Sequence, residues 1–221
     1  MLEQVDPGST MIFLTLKYDG DLLRFKVGDK PKELKRADMI GFINARGSSA
    51  FTAELAEKLY RAGRHDLKPD EAYKEYGSML PPSYEELCRI KDSDKREVGF
   101  LMLVHVDQDL RGLGMSGRLL RKTLEVMRDK FHLDYAVVYG RLPNLSNEYA
   151  SQQEADKHLQ EYVARKRDSD GMHPDWAVRF HQHAGCQVVC GIPNYSDDKA
   201  SFNHGFVGVY DLAKLRAERR I

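Results

Sequence analysis

Residues Val104 to Leu120, VHVDQDLRGLGMSGRLL, decide how this chain folds. The stretch passes from an apolar, strand-like segment through Gly112, Gly114 and Gly117 into apolar positions at helical spacing. Glycine has no Cβ and enters left-handed backbone freely, so a turn built from it can point bare N–H groups outward. The helix start that follows adds partial positive charge. Together these features predict a cradle for phosphate oxygens. The dinucleotide-binding spacing G-x-G-x-x-G fits the three glycines, but the chain lacks a convincing ribose-binding acid after the next strand and has too few parallel units. The phosphate-loop pattern fails because no Gly-Lys-Ser/Thr follows. A tight turn with glycine for packing is the plain alternative.

Around this turn the pattern reads as an α/β chain. EVGFLMLVHV before it is a buried strand, and Leu119, Leu120, Thr123, Leu124, Met127 and Phe131 after it share one helical face. DYAVVYG is the next strand; QQEADKHLQEYVARK and DWAVRFHQHAG read as helices, the first polar and exposed. CQVVCGI and GFVGVYDL close the chain as strands, followed by a short basic tail. Toward the N-terminus, MIFLTLKY and DLLRFKV flank Asp19-Gly20, which predicts a hairpin, and DMIGFINAR is a third strand. A helix follows Thr52 and stops at Gly63, HDLKPDEAYKEYGSMLPP holds one or two helical turns, and Ser83 with Glu86 predicts a helix near Tyr84. Strands in many antiparallel connections surround one strand–turn–helix unit.

Composition narrows the function classes. The 221 residues suffice for one large domain, and no stretch reads as a linker. With 34 basic and 34 acidic residues the formal charge is zero, so an overall electrostatic case for nucleic acid is absent. The longest apolar run, VGFLMLV, is too short to span a bilayer, and MLEQVDPGST lacks a signal-peptide core. Three cysteines, Cys88, Cys186 and Cys190, are too few for a disulfide scaffold. The expectation is a cytoplasmic protein with neither membrane nor nucleic-acid partner.

The glycine stretch resembles the coenzyme A-binding motif of the GNAT acyltransferase superfamily: a strand ending in valine, a bend, Arg/Gln-x-x-Gly-x-Gly/Ala and a helix. Arg111 heads the motif, Gly114 matches its central glycine, and Ser116 stands where glycine or alanine is usual, with Gly117 directly after. A second stretch, AVRFHQHAGC from Ala177 to Cys186, resembles the superfamily's Ala-x-x-Phe-Tyr-x-x-x-Gly-Phe segment. The resemblance implies a GNAT fold, with a mixed, mostly antiparallel central sheet, a splayed strand pair and helices on both faces. It implies one domain over residues 1–221; this chain departs from the family in a helical insertion at about 50–92, and its polar stretch at about 145–172 reads either as a lid or as an ordinary solvated face. Backbone groups of Arg111, Gly112, Leu113, Gly114, Met115, Ser116 and Gly117 would hold the pyrophosphate of acetyl-CoA or another acyl-CoA. Val104 and Val106 would pair with the pantetheine amides.

Where many members carry a tyrosine that protonates the coenzyme A thiolate, this chain has His181. An imidazole can accept and donate near neutrality. That histidine, with GIPNY and GFVGVY after it, resembles the loading domains of polyketide synthases and the GNAT domains fused to nitrilase-like hydrolases. Some loading domains decarboxylate malonyl-CoA and some pass an acyl group to a carrier protein. Their catalytic histidine falls on His181, their threonine near Gly140 and their substrate arginine on Ser196, so the hydroxyl and the arginine are missing here. A decarboxylase must hold a carboxylate and stabilise an enolate, for which those two groups are natural tools.

Other candidates come from the residues themselves. His105 and Asp107 alternate before the glycine turn and read either as a proton relay or as solvated edge residues. Tyr195 either lines an acceptor pocket or anchors its loop. His181, His183, Cys186 and Cys190 do not form a zinc set, because positions two apart on a helix diverge and cysteines on a strand face behave as small apolar residues; no metal is expected. The expected activity is acyl transfer from acyl-CoA to a small-molecule amine or an acyl carrier protein. Malonyl-CoA decarboxylation and a coenzyme A-binding pseudoenzyme are the alternatives.

Overall fold

The structure, a computed structural model, describes residues 2–5, 11–17, 22–27, 30–35, 39–48, 51–81, 98–108 and 111–215. Strands β1 (Leu2–Val5) and β2 (Met11–Lys17) pair antiparallel. Strands β3 (Leu22–Val27) and β4 (Lys30–Lys35) form a separate two-stranded sheet, and β5 (Met39–Ser48) returns to pair with β2. Helices α1 (Ala53–Arg61) and α2 (Pro69–Tyr76) precede the central unit of β6 (Val98–Val106), α3 (Met115–Phe131) and β7 (Tyr135–Arg141). The chain closes with α4 (Leu145–Glu148), α5 (Gln152–Val163), α6 (Trp176–His183), β8 (Gln187–Ile192) and β9 (Gly205–Asp211).

Among the described residues the main sheet has seven strands in the order β1-β2-β5-β6-β7-β9-β8. Its pairs are antiparallel except β6 with β7, the two strands that α3 joins. A parallel pair needs such a crossover, whereas antiparallel neighbours do not. Alternation along the strands feeds two cores. Ala136, Val138, Phe206 and Tyr210 face α3, α5 and α6, while Val137, Tyr139, Val207 and Val209 face α1 and α2. Helix α3 buries Leu119, Leu120, Thr123, Leu124 and Met127 as its apolar spacing requires, and the Thr123 hydroxyl donates to the Leu119 carbonyl at 2.9 Å. No helix among the described residues is long and apolar enough to cross a membrane.

The structure corrects several local expectations. The strands flanking Asp19-Gly20 do not pair with each other: β2 lies between β1 and β5, and β3 takes β4 as partner. Pro31 and four charged residues in KPKELK hide β4 from any strand pattern. Helix α1 starts at Thr52, whose side chain accepts from the Leu55 N–H at 3.1 Å, but it does not stop at Gly63. A π-helical turn over Ala62–Asp66 follows, with His65 inside it in left-handed backbone at φ 71°. Gly63 serves close packing instead, since a Cβ there would lie 2.8 Å from the Val188 carbonyl oxygen. The helix expected near Tyr84 and the end of the basic tail lie outside the described residues.

Helix α5 is less exposed than its composition suggests. It buries Ala155, Leu159, Tyr162 and Val163, and a Cβ at Gly191 of β8 would sit 2.5 Å from Leu159 Cγ. The Gln160 amide donates to the Gly191 carbonyl at 2.9 Å and accepts from its N–H at 2.8 Å. The core of the segment expected as a lid is therefore fastened to the sheet. The cysteines also part company. A bulge between Val188 and Cys190 breaks the alternation, so Cys186 joins one core and Cys190 the other.

Candidate active site

The parallel ladder between β6 and β7 runs only from Val98↔Tyr135 to Leu101↔Val138. At that point β5 faces Leu101 with Ala45 and Leu103 with Asn44, leaving Met102 as the extra residue of a bulge. A bulge bends its strand and interrupts pairing. Beyond it the strands part, and a cleft of about 410 Å³ opens between them. Leu101 to Val104 form one wall, Val138 to Arg141 the other, and Trp176, Phe180 and His181 of α6 look in from the side. Most of these groups are apolar, and Leu103 and Trp176 are half-exposed at 51% and 56%. A cleft of this size and lining suits an organic chain with a few polar atoms.

The glycine turn stands where β6 ends. Gly112 and Gly114 have φ of 85° and 74°, backbone that a side chain disfavours, and Gly114 is the N-cap of α3 with no side chain satisfying the first turn. A Cβ at Gly112, Gly114 or Gly117 would meet nothing within 4 Å, so packing does not explain these glycines. Their faces open outward. The N–H groups of Met115, Ser116 and Gly117 begin the helix, where no intrahelical acceptor exists. Arg111 braces the turn, its Nε donating to the Val106 carbonyl at 3.4 Å and its N–H to that of Gln108 at 3.4 Å. Leu113 is 61% exposed beside the open faces.

His181 is the titratable group of α6 on the cleft wall. Its Nδ1 lies 2.6 Å from the Tyr210 hydroxyl, and Phe180 and Phe206 close around its ring at centroid distances of 5.0 and 5.8 Å. The imidazole remains half-buried with one edge on the cleft, yet burial among these rings pushes its pKa down to about 4. It is neutral at pH 7. His183, two residues on, is exposed, as helical geometry requires.

A polar network that pattern reading overlooked fixes the start of α6. The Asp175 carboxylate caps the helix by accepting from the Ala177 N–H at 2.9 Å, and it also accepts from the Tyr162 hydroxyl at 3.1 Å and the Asn144 N–H at 3.0 Å. His173 accepts from the Asp175 N–H through Nδ1 at 2.9 Å, so its Nε2 carries the proton it gives the Tyr162 carbonyl at 2.8 Å. Both side chains are buried. An aspartate at the head of DWAVRF is the ordinary helix-start signal and could have been read as one.

The other expected residues fall differently. Tyr195 lines the cleft, but its hydroxyl donates to the Tyr139 carbonyl at 2.8 Å, which anchors the loop before β9. His105 is not part of the cleft wall; it is exposed on β6 and packs against Phe42 with ring centroids 5.3 Å apart. Val104 lines the cleft, whereas Val106 is buried. Arg141 is the one arginine or lysine among the described cleft residues, and Asp198 holds it in a bidentate pair with both contacts at 2.7 Å. Gly140 faces Phe206 directly across the β7–β9 ladder. A Cβ there would collide with Cε1 and Cζ of the Phe206 ring and sit 3.0 Å from its Cδ1.

These features define the class of the fold. The splayed β6–β7 pair, the glycine turn leading into α3 and the antiparallel close of the sheet are the GNAT arrangement. Among solved structures the chain is similar to the loading GNAT-like domain of CurA from Lyngbya majuscula. That match has a TM-score of 0.58 and 17% identity over 83% of this chain and 76% of that one. It is also similar to the GNAT-like decarboxylase GphF in complex with isobutyryl-CoA, with a TM-score of 0.55 and 17% identity over 81% and 75% of the two chains. No protein-family model matches the sequence, and no curated protein does. At this identity the likeness establishes the fold.

Proposed function

We propose that this chain is an acyl-CoA-dependent acyltransferase in which His181 serves the reacting thioester. The observation that carries the reading is the cleft itself: it opens where β6 and β7 separate, with His181 on its wall and the bare glycine turn at the end of β6. The donor set fits coenzyme A. Open faces at Gly112, Gly114 and Gly117 leave room for pyrophosphate oxygens against the unpaired N–H groups of the first turn of α3. The unladdered edge of β6 offers backbone partners to pantetheine amides, and the apolar walls suit the arm and acyl chain.

The reaction is the attack of an acceptor lone pair on the thioester carbonyl carbon. The C–S bond then breaks, and the coenzyme A thiolate takes up a proton. An amine and a carrier-protein thiol are both chemically suitable acceptors. Decarboxylation is less well served. A substrate carboxylate needs a free cation, and Arg141 is already engaged by Asp198. Enolate stabilisation needs a donor, and Phe206 fills the space a hydroxyl-bearing side chain at position 140 would take.

Mass spectrometry of the protein incubated with acetyl- and malonyl-CoA, amines and a carrier protein tests the proposal. Acyl transfer without carbon dioxide release is expected, with kcat reduced by about 10²–10³ in His181→Ala while coenzyme A affinity is kept. Carbon dioxide release from malonyl-CoA would favour the decarboxylase reading. Binding without turnover of any acyl-CoA would favour a pseudoenzyme.

A further inference from the structure

We infer that Tyr210 is a positioning residue that fixes the tautomer of His181, holding Nδ1 as an acceptor so that Nε2–H points into the cleft as a neutral hydrogen-bond donor. This rests on the acyl-transfer reading and narrows the role of the histidine within it. The geometry has three parts. The Tyr210 hydroxyl lies 2.6 Å from Nδ1, on a side chain of β9 with no solvent exposure. The Cys186 thiol belongs to the same buried cluster and acts electrostatically on that hydroxyl, so it is the rival acceptor for the single phenolic proton. Nε2 makes no hydrogen bond within the described residues and is not a buried orphan, so it is reachable from the cleft.

Acceptor strength decides where the phenolic proton goes. An imidazole nitrogen is a strong acceptor and a thiol sulfur a weak one. The short contact to Nδ1 therefore takes the O–H, and the Cys186 thiol, whose sulfur lies 3.6 Å from the Gln187 carbonyl oxygen, has its own acceptor. With Nδ1 occupied, the ring proton must sit on Nε2. Both supporting groups stay uncharged: burial pushes the Cys186 thiol and the Tyr210 phenol upward. The other polar groups of the cleft do not disturb this state, because Arg141 is paired with Asp198, the Tyr195 hydroxyl with the Tyr139 carbonyl, and the Tyr139 hydroxyl with that of Pro81.

A neutral imidazole cannot lend a positive charge, and with Nε2 protonated it cannot act as a base. It can polarise a carbonyl. Nε2–H would donate to the thioester oxygen as the acceptor adds to the carbonyl carbon and the C=O electron pair moves onto that oxygen. Collapse of the adduct returns the pair and expels the thiolate, whose proton is the one the acceptor loses. His181 then neither gains nor gives up a proton over the cycle.

The test is long-range ¹⁵N–¹H NMR on protein labelled in its histidine rings, with His181 assigned from its missing signals in His181→Gln. At pH 7 the unmodified protein is expected to show a neutral ring protonated on Nε2; a ring protonated on Nδ1, or a charged ring, would overturn the inference. Cys186→Ala should leave the tautomer unchanged, since sulfur does not compete. A switch of tautomer in that variant would mean that the phenol had been donating to sulfur. Tyr210→Phe keeps the ring but removes the donor, so the tautomers should mix. Its kcat should fall about tenfold, the scale of one lost hydrogen bond, with KM for acyl-CoA unchanged. The NMR readout requires no turnover, so failure of the acyltransferase reading and failure of the tautomer assignment are distinguishable.

Discussion

Gly140→Thr would place a hydroxyl-bearing side chain beside His181, and the structure specifies why it should fail by itself. Gly140 and Phe206 are direct cross-strand partners, and the Phe206 ring lies where the new Cβ would be. Inserting atoms into a filled core costs about 1–3 kcal/mol, and the upper end applies because neither laddered backbone can retreat. Phe206→Ala alone removes a fully buried ring and should cost about 3–5 kcal/mol. In the double variant the threonine enters the space the ring has left, so the clash disappears. Its destabilisation should fall short of the sum of the singles by about 1–3 kcal/mol, well above the roughly 0.3–0.5 kcal/mol scatter of independent sites. Urea unfolding of the four proteins closes the cycle. Additive losses would refute the claim that Phe206 closes this side of the cleft. If that claim holds, carbon dioxide release from malonyl-CoA should be absent from Gly140→Thr as well.

Asp175→Ala should remove a helix cap worth about 0.5–2 kcal/mol and strand the buried Tyr162 hydroxyl, lowering Tm measurably; an unchanged melting curve would contradict the network at the start of α6. Acid should destabilise the fold through its histidines. Burial lowers the pKa of His173, His181 and His204, so below about pH 6.5 the unfolded chain binds protons that the native protein refuses. Stability should fall by up to about 1.4 kcal/mol per pH unit for each neutral histidine. For His181 this loss continues until pH reaches about 4. Urea midpoints between pH 7 and 4.5 measure the slope, and His181→Gln should make it shallower; equal slopes would show that the ring is not buried as described.

The glycine turn and the helix after it were legible because both obey local rules. Left-handed backbone at Gly112 and Gly114 demands glycine, and the buried positions of α3 repeat at helical spacing. His181 was legible by its place in a recognisable segment. Its surroundings were not, because Tyr210 and Phe206 belong to a later strand and meet the ring only when β9 and the end of α6 come together. Strand β4 was hidden by charge and Pro31, and the second face of Cys190 by a bulge that no alternation pattern announces. His105 lies outside the cleft although Leu103 and Val104 just before it line the wall, a division that the strand-like run of β6 does not announce.

The central claim is that the cleft and the glycine turn bind coenzyme A. Isothermal titration of coenzyme A into the unmodified protein and into Gly114→Val tests it most directly. Valine at position 114 must adopt φ near 74°, a strained conformation for a β-branched residue, and it projects into the open face before the α3 N–H groups. The account predicts saturable one-to-one binding to the unmodified protein, and affinity at least about tenfold weaker in a Gly114→Val protein whose circular dichroism shows it folded, the scale of losing one or two charge-assisted hydrogen bonds. Equal affinity in the two proteins, or no binding to either, would contradict it.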